Sequence, residues 1–363
     1  MTPTDVVTTT TSSPRVPSGL RRILLRLPSW LGDVVMARPA VAAITAALPD
    51  ATFIAQAPKP FLPLAARLPG VSAVLSVGRD RGPRDLLASR RALRAEGFDA
   101  AVVFPRGHRA ALAPFLARIP VRVGFGARGK GPLLTHGVTG WRPLRSDHRS
   151  RFFAALAAPF GVTVPEGDLP PLAVSEAERE AARRLLLALG RRTDRPLVAI
   201  EAGASYGPAK CWPVASFAEL ARRLGAQGMD VVTVGTPAAA PIEAAVAARA
   251  PELLRGVGRT ADLGVLLALL AAADLLVTND TGPMHVATAV GTPVVALFGA
   301  TDPVVSAPLG PGELRLIYEP EPCSPCFLRE CPVPGHPCLA KIPVERVLAE
   351  IQYGGGEFFR RLP

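Results

Sequence analysis

Lysine is scarce in this sequence: of 41 basic residues only Lys59, Lys130, Lys210 and Lys341 are lysines, so 37 are arginines. Cysteine is scarce too. Five cysteines in 363 residues do not make a disulfide scaffold, and an odd count fits a reducing compartment. Aromatic residues are 6% of the chain, so any core must be built mostly of Ala, Val, Leu and Ile. No apolar run reaches the length of about 20 residues that a membrane helix needs; the best stretch, Gly282–Ala300, is broken by glycines and by Pro283 and Pro293. The polar start MTPTDVVTTTTSSP has no apolar centre behind basic residues, so a secretory signal is not expected. No G-x-G-x-x-G opens the first helix and no G-x-x-x-x-G-K-[ST] occurs, so the usual dinucleotide fingerprint is missing from that place and the P-loop from the chain. Glycine (33) and proline (39) are plentiful without a fixed period, which excludes collagen.

What is present is enough apolar residue, 49%, for two packed cores, which excludes wholesale disorder. The net charge of +11 is unevenly placed. Residues 1–175 hold 23 Lys/Arg against 10 Asp/Glu, whereas residues 176–363 hold 18 against 20. Such a basic first half suits a polyanionic partner; a merely soluble basic surface is the plainer reading.

Short apolar strands alternate with helical stretches in both halves, the pattern of parallel β-α-β units. The first half predicts strands at Ile23–Leu27, Thr52–Ala55, Val71–Ser76 and Ala100–Phe104, with a helix over Arg84–Glu96. Pro39 inside the first helix should kink it or delay its start. Gly161–Pro171 is rich in Pro and Gly, and Ser175 with Glu178 fits a capping box, which sets a linker near 160–175. The second half predicts strands at Pro196–Glu201, Val231–Gly235, Asp274–Thr278 and Pro293–Phe298, and helices at Val214–Leu224, Pro241–Ala250, Leu263–Ala273 and Gly282–Val290. The expected organisation is a disordered tail over residues 1–18, a first domain over 19–170, a second over 171–342, and a C-terminal helix and tail over 343–363. Ligands of such sheets bind outside the carboxyl ends of the strands, so a cleft between the domains is the expected site.

Four segments stand out. Leu27–Asp33 joins the first strand to its helix; Asp33 there is either a helix cap or a base aimed at a ligand. Glu201–Pro213 leaves a strand and enters a helix, and its glycines, its helix start and Lys210 suit phosphate oxygens, though an ordinary loop with a solvated lysine has the same look. Thr278–His285 packs polar residues between two apolar segments: Asp280 and Thr281 can cap a helix, and Thr281 and Gly282 can offer N–H groups to a diphosphate. His285, one turn inside, suits a structural role as well as a catalytic one. Finally, Cys323, Cys326, Cys331 and Cys338 follow a C-x₂-C-x₄-C-x₆-C spacing, with His336 nearby. That spacing admits zinc but departs from the two-knuckle pattern, and buried or redox-sensitive thiols are the alternative.

Through ILLRLPSWLGDVVMARP, GASYGPAKCWPVASFAELARRL, VTNDTGPMHVATAVGTPVVALFGATDP and CSPCFLRECPVPGHPCL, the chain resembles the ADP-heptose:lipopolysaccharide heptosyltransferases of glycosyltransferase family 9. The cysteine-bearing segment makes it look closest to the heptosyltransferase II branch. The resemblance runs from about Arg22 to Val347. It implies a GT-B architecture, α/β with two Rossmann-like parallel-sheet domains facing a cleft, and a last helix that crosses back to the first domain. It implies an inverting glycosyltransferase that moves L-glycero-D-manno-heptose from ADP-heptose to a heptose of the lipopolysaccharide inner core. Asp33 matches the family's proposed base. Lys210 matches the Lys of K-x-W-P, which contacts donor phosphates, and Asp280, Thr281, Gly282 and His285 match D-[ST]-G-x-x-H at the donor site. Gly203 and Ser205 lie in the donor loop. The Glu201-Ala202 pair stands where the family commonly has proline.

The same resemblance implies an anionic lipid A–Kdo–heptose acceptor on the basic first half, with Arg106, His108, Arg109, Arg122 and Arg128 as candidate contacts chosen by charge and position. It implies a cytoplasmic enzyme, peripheral on the inner face of the inner membrane. Without a D-x-D motif no obligatory catalytic metal or cofactor is expected, ADP-heptose being a substrate, and no nucleic-acid partner. Heptosyltransferase I, another family 9 sugar transferase and a non-catalytic nucleotide-sugar binder are the alternatives within this fold. A basic nucleic-acid-binding protein is the alternative outside it.

Overall fold

The run Ile23-Leu24-Leu25 has no polar face to give to water, and it forms the middle of a parallel sheet covered on both sides. The computed structural model describes residues 14–76, 82–126, 131–139, 147–165, 167, 169–260 and 262–353. The chain divides into two units at Gly167/Asp168. In the first, the strands are β1 (Arg22–Arg26), β2 (Thr52–Ala57), β3 (Val71–Ser76), β4 (Ala100–Val103), β5 (Val121–Phe125) and β6 (His136–Val138). They form a six-stranded sheet in the order β3-β2-β1-β4-β5-β6, parallel throughout. Leu24, Ile54 and Ala101 pack with Leu93, Phe98 and Ile119 on one side; burying each such large side chain contributes about 1.5–3 kcal/mol.

The second unit holds β7 (Leu197–Glu201), β8 (Asp230–Thr233), β9 (Leu275–Asn279), β10 (Val294–Phe298) and β11 (Leu314–Tyr318). The order is β11-β10-β9-β7-β8, again all parallel. Its core includes Val198, Ile200, Trp212, Phe217, Leu224, Val277 and Leu297. Strand order reverses between β1 and β4 in one sheet and between β7 and β9 in the other. These are the places where an open α/β sheet parts its loops and receives ligands.

The fold is therefore the expected pair of Rossmann-like parallel sheets, with particular differences. Strands β5, β6 and β11 are additional to those expected. Pro39 breaks the first helix outright: Leu31–Met36 ends at Ala37, and a second helix, Arg38–Ala47, begins with Pro39 in its first turn. Proline lacks the N–H that a continuing helix would need there. The capping box is present, with Ser175 Oγ accepting from Glu178 N–H and Glu178 Oε2 from Ser175 N–H.

Most of the tail expected over residues 1–18 lies outside the described residues. By Val16, whose N–H donates to Pro159 O at 2.9 Å, the chain is already tied to the first unit. The helix Val344–Tyr353 was expected to return to the first domain. It buries Val347, Leu348 and Ile351 in the core of the second unit, and Trp212 Nε1–H ties the preceding turn by donating to Ile342 O at 3.0 Å. Residues 354–363 lie outside the described part. Among the described residues no helix is long and apolar enough to cross a membrane.

Candidate active site

In the first unit the loop after β1 turns at Trp30, which stays half exposed. The short helix Leu31–Met36 follows with Asp33 in its first turn, and no side chain caps it. Asp33 is thus not spent as the N-cap of its own helix. Its side chain is 15% exposed and meets Arg149 Nη1, which donates to Oδ1 at 3.1 Å and to Oδ2 at 3.5 Å. Arg149 opens the helix Arg149–Ala154, whose N-cap is the His148 side chain, accepting from Ser150 N–H.

Two phenylalanines hold that helix in place. Phe152 stacks on Phe125 at the end of β5, centroids 3.9 Å apart, and Phe153 lies 5.9 Å from Phe104, just beyond β4. The guanidinium of Arg106 sits 5.6 Å above the Phe152 ring, so this residue belongs to the same neighbourhood as Arg149. His108 and Arg109 begin the next helix, His108–Leu116, and are exposed. Arg122 is placed differently. Its guanidinium donates to the carbonyls of Ile119 and Leu133 and lies over the Phe115 ring, and burial lowers its pKa. Those bonds tie its own loops together. Arg128 lies outside the described residues.

In the second unit two loops leave the switch-point strands β7 and β9 and are stitched together by one side chain. Asn279, fully buried, donates through Nδ2 to Ala202 O (3.1 Å) and Gly203 O (3.2 Å), and its Oδ1 accepts from Trp212 N–H at 2.9 Å. The stitch brings Lys210 onto Asp280. Lys210 Nζ donates to Asp280 Oδ2 at 2.5 Å and to Asp280 O at 3.2 Å, with the two side chains 13% and 5% exposed. Thr301 Oγ1–H donates to the same Asp280 oxygen. The ammonium also lies 5.0 Å above the Tyr206 ring.

Below this pair Glu201 is buried, with Thr278 and Thr281 hydroxyls on its Oε2. Burial raises its pKa to about 7, and the nearby Asp280 carboxylate adds to the rise. Thr281 is the N-cap residue of helix Gly282–Val290 and makes no side-chain cap bond. His285 is 3% exposed and is the fourth residue of that helix. Gly203 lies under Ala239, where a Cβ would come within 3.1 Å. Ser205 is exposed.

The cysteine segment roofs this loop. Tyr206 Oη–H donates to Phe327 O at 2.7 Å, Ala209 N–H donates to Arg329 O at 3.0 Å, and His336 Nε2 lies 3.0 Å from Ala209 O. Gly207 has φ +154°, and a Cβ there would stand 2.3 Å from Arg329 O, so the close approach requires glycine. The zinc reading of the four thiols finds no support. All five cysteines are free, and no three His, Cys, Asp or Glu among the described residues are grouped to hold a metal. Cys338 is buried against Gly299, and Cys331 points its thiol at Val333 O. Cys211 has its thiol pKa pushed up to about 11 by burial and by the charge of Glu201.

Sequence reasoning missed Arg149 and Asn279. Arg149 has no motif around it, and its partner is 116 residues away. Asn279 carried a signal, a polar residue at a buried strand end, but its role shows only when the two loops meet.

This geometry has counterparts. The profile of Glycosyltransferase family 9 (heptosyltransferase) matches residues 86–336, which include Lys210 and Asp280 and begin downstream of Asp33. The chain is similar to Lipopolysaccharide heptosyltransferase 2 of Salmonella typhimurium, 33% identical over 79% of this chain and 85% of that one. It is similar to Lipopolysaccharide heptosyltransferase 2 of Escherichia coli, 32% identical over the same shares. The solved structure of E. coli ADP-heptose lps heptosyltransferase II superposes with a TM-score of 0.76 at 29% identity, covering 92% of this chain and 98% of that one. With a profile match over most of its length and relatives above 30% identity, the chain belongs to glycosyltransferase family 9, the heptosyltransferase family.

Proposed function

We propose that the protein is an inverting heptosyltransferase of type II, moving L-glycero-D-manno-heptose from ADP-heptose to a heptose hydroxyl of the lipopolysaccharide inner core. The observation that carries this reading is the Lys210–Asp280 pair at the β7/β9 switch point, set beside the open start of helix Gly282–Val290. Asp280 takes two of the three N–H groups of the ammonium, which leaves one for a phosphate oxygen. Helix N–H groups of the first turn have no intrahelical acceptor and favour an anion. The loop glycines let the backbone pack closely, Gly203 under Ala239 and Gly207 against Arg329 O, beside the place where a nucleotide diphosphate would lie. Ser205 borders the same loop.

Inversion at the anomeric carbon takes a single in-line displacement. Asp33 is the group assigned to remove the proton of the attacking acceptor hydroxyl, since it is held by Arg149 yet not used as a cap. The sugar passes through an oxocarbenium-like state, and ADP leaves with growing negative charge. Lys210 and the helix start stabilise that charge, which accelerates the reaction because the charge is greater in the transition state than in the bound donor.

The acceptor reading rests on the basic first half. Arg106, His108 and Arg109 lie in or after the loop that follows β4, beside the switch point that also holds Asp33, and their charge suits phosphate and carboxylate groups of a lipid A–Kdo core. Arginine on an anionic leaflet contributes about 1 kcal/mol per residue to reversible attachment, consistent with a peripheral enzyme at the inner membrane.

Incubation with ADP-heptose and defined truncated acceptors, followed by mass spectrometry, tests the reading. It predicts one added heptose on an acceptor that already carries a heptose. Transfer only to an acceptor without heptose would point to the type I reaction, and transfer from a different nucleotide sugar would point to another family 9 activity.

A further inference from the structure

Glu201 ends β7 and stands in register opposite Thr278 of β9. Its side chain is 8% exposed, and it forms no ion pair among the described residues. A buried carboxyl without a cation needs hydrogen bonds to be tolerated. Here one oxygen, Oε2, takes both: the Thr278 hydroxyl at 3.0 Å, and the Thr281 hydroxyl. The second bond has a consequence for the helix above it. Threonine at an N-cap ordinarily accepts from the N–H of the second or third helical residue. The second residue of this helix is Pro283, which has no N–H, so Met284 is the one available donor. Thr281 makes no such bond; its hydroxyl lies instead against Glu201 Oε2, with Thr278 Oγ1 at 3.2 Å and Asn279 O at 3.3 Å as its other neighbours.

We propose that Glu201 is a positioning residue of the donor site: by holding the Thr281 hydroxyl against the end of β7, it keeps the Gly282 and Met284 N–H groups at the start of the helix open to the donor diphosphate. The inference rests on the donor reading given above and adds a residue to it. The titration of Glu201 agrees with the role. Burial holds its pKa near 7, and the groups facing it are the Asp280 carboxylate and the Cys211 thiol. In its protonated form it grips hydroxyls without adding negative charge beneath the phosphates.

The test is ADP binding by calorimetry and donor kinetics on the full chain. Glu201→Ala releases Thr281 to cap Met284. It is expected to weaken ADP binding and raise the donor KM about five- to tenfold, the worth of one helix cap, with kcat changed less. Glu201→Gln, whose amide oxygen still accepts both hydroxyls, is expected to recover most of that loss. Glu201→Ala/Thr281→Val has no hydroxyl left to move onto Met284 and is expected to bind ADP more tightly than Glu201→Ala. Glu201→Met fills the space without an acceptor and replaces the alanine variant if that one does not fold. The proposal is overturned if Glu201→Gln binds ADP as poorly as Glu201→Ala, or if removing the Thr281 hydroxyl restores nothing. A wild-type protein that does not bind ADP would instead overturn the donor reading itself.

Discussion

Lys210 and Asp280 leave neighbouring strands on separate loops, and their side chains meet at 2.5 Å, with Thr301 on the same carboxylate oxygen. The lysine is therefore aimed before any ligand arrives, and its one spare N–H has a set direction. Removing Lys210 does two things at once. It takes away the charge that the proposed mechanism sets against the departing diphosphate, and it leaves Asp280 buried without a cation. Lys210→Ala should lower kcat/KM by about 10²–10³ and destabilise the second unit by about 3–5 kcal/mol. Lys210→Met/Asp280→Asn should restore much of the thermal stability but not the turnover. Melting curves beside steady-state kinetics separate the two effects.

Arg149 is held on Asp33 by a helix that is itself fastened by Phe152 and Phe153. Its task in this account is orientation. Arg149→Ala should reduce kcat by about 10–10² through misplacement of the base, while ADP binds as before. Arg149→Lys should recover only part of the rate, because a shorter side chain must bring its ammonium to the place of Nη1, which alone contacts both Asp33 oxygens. A loss confined to donor KM would be the wrong signature.

Glu201 makes stability depend on pH in a defined direction. Its pKa in the folded protein is about 7, against an ordinary carboxylate value of 4.5. The folded state therefore binds the proton more tightly than the unfolded chain. The stabilisation this confers is complete below pH 4.5 and is lost as pH rises through about 7. Thermal melting should show the second unit losing stability over that window, and Glu201→Gln should flatten the decline. An unchanged slope in the variant would remove Glu201 as its source.

The charge asymmetry predicts a salt effect on one substrate more than the other. Exposed arginines attract an anionic acceptor over a screening length of about 8 Å at physiological ionic strength. Raising salt should increase the acceptor KM more than the donor KM, since Lys210 and Asp280 are largely buried. Charge reversal at Arg106 or Arg109 should weaken that dependence.

Much of this was readable in the residues, for physical reasons. Strands such as Ile23-Leu24-Leu25 announce themselves because a parallel sheet buried on both faces requires continuous apolar runs. The polar Thr278–Thr281 set between apolar segments drew attention because packing alone gives no reason for it, and in the structure these residues join the ends of β7 and β9. Edge strands were harder. Leu314–Tyr318 is partly exposed and carries Arg315, and His136–Val138 is only three residues long, so neither has a periodic signal. The bonds of the Arg122 guanidinium to nearby carbonyls follow no local pattern. Arg149 and Asn279 act through partners distant in sequence, and pairings of that kind emerge only from the assembled sheet and its loops. The C-terminal helix was placed by resemblance, and its apolar face, Val347, Leu348 and Ile351, packs in the core of the second unit.

The central claim is that Asp33 performs the chemistry while the loops at β7 and β9 hold the donor. Single-turnover transfer from ADP-heptose by Asp33→Ala, measured beside its ADP affinity, tests this most directly. The account predicts a rate lower by about 10²–10⁴ with ADP binding within about twofold of the wild type. Near-normal transfer by Asp33→Ala would contradict it.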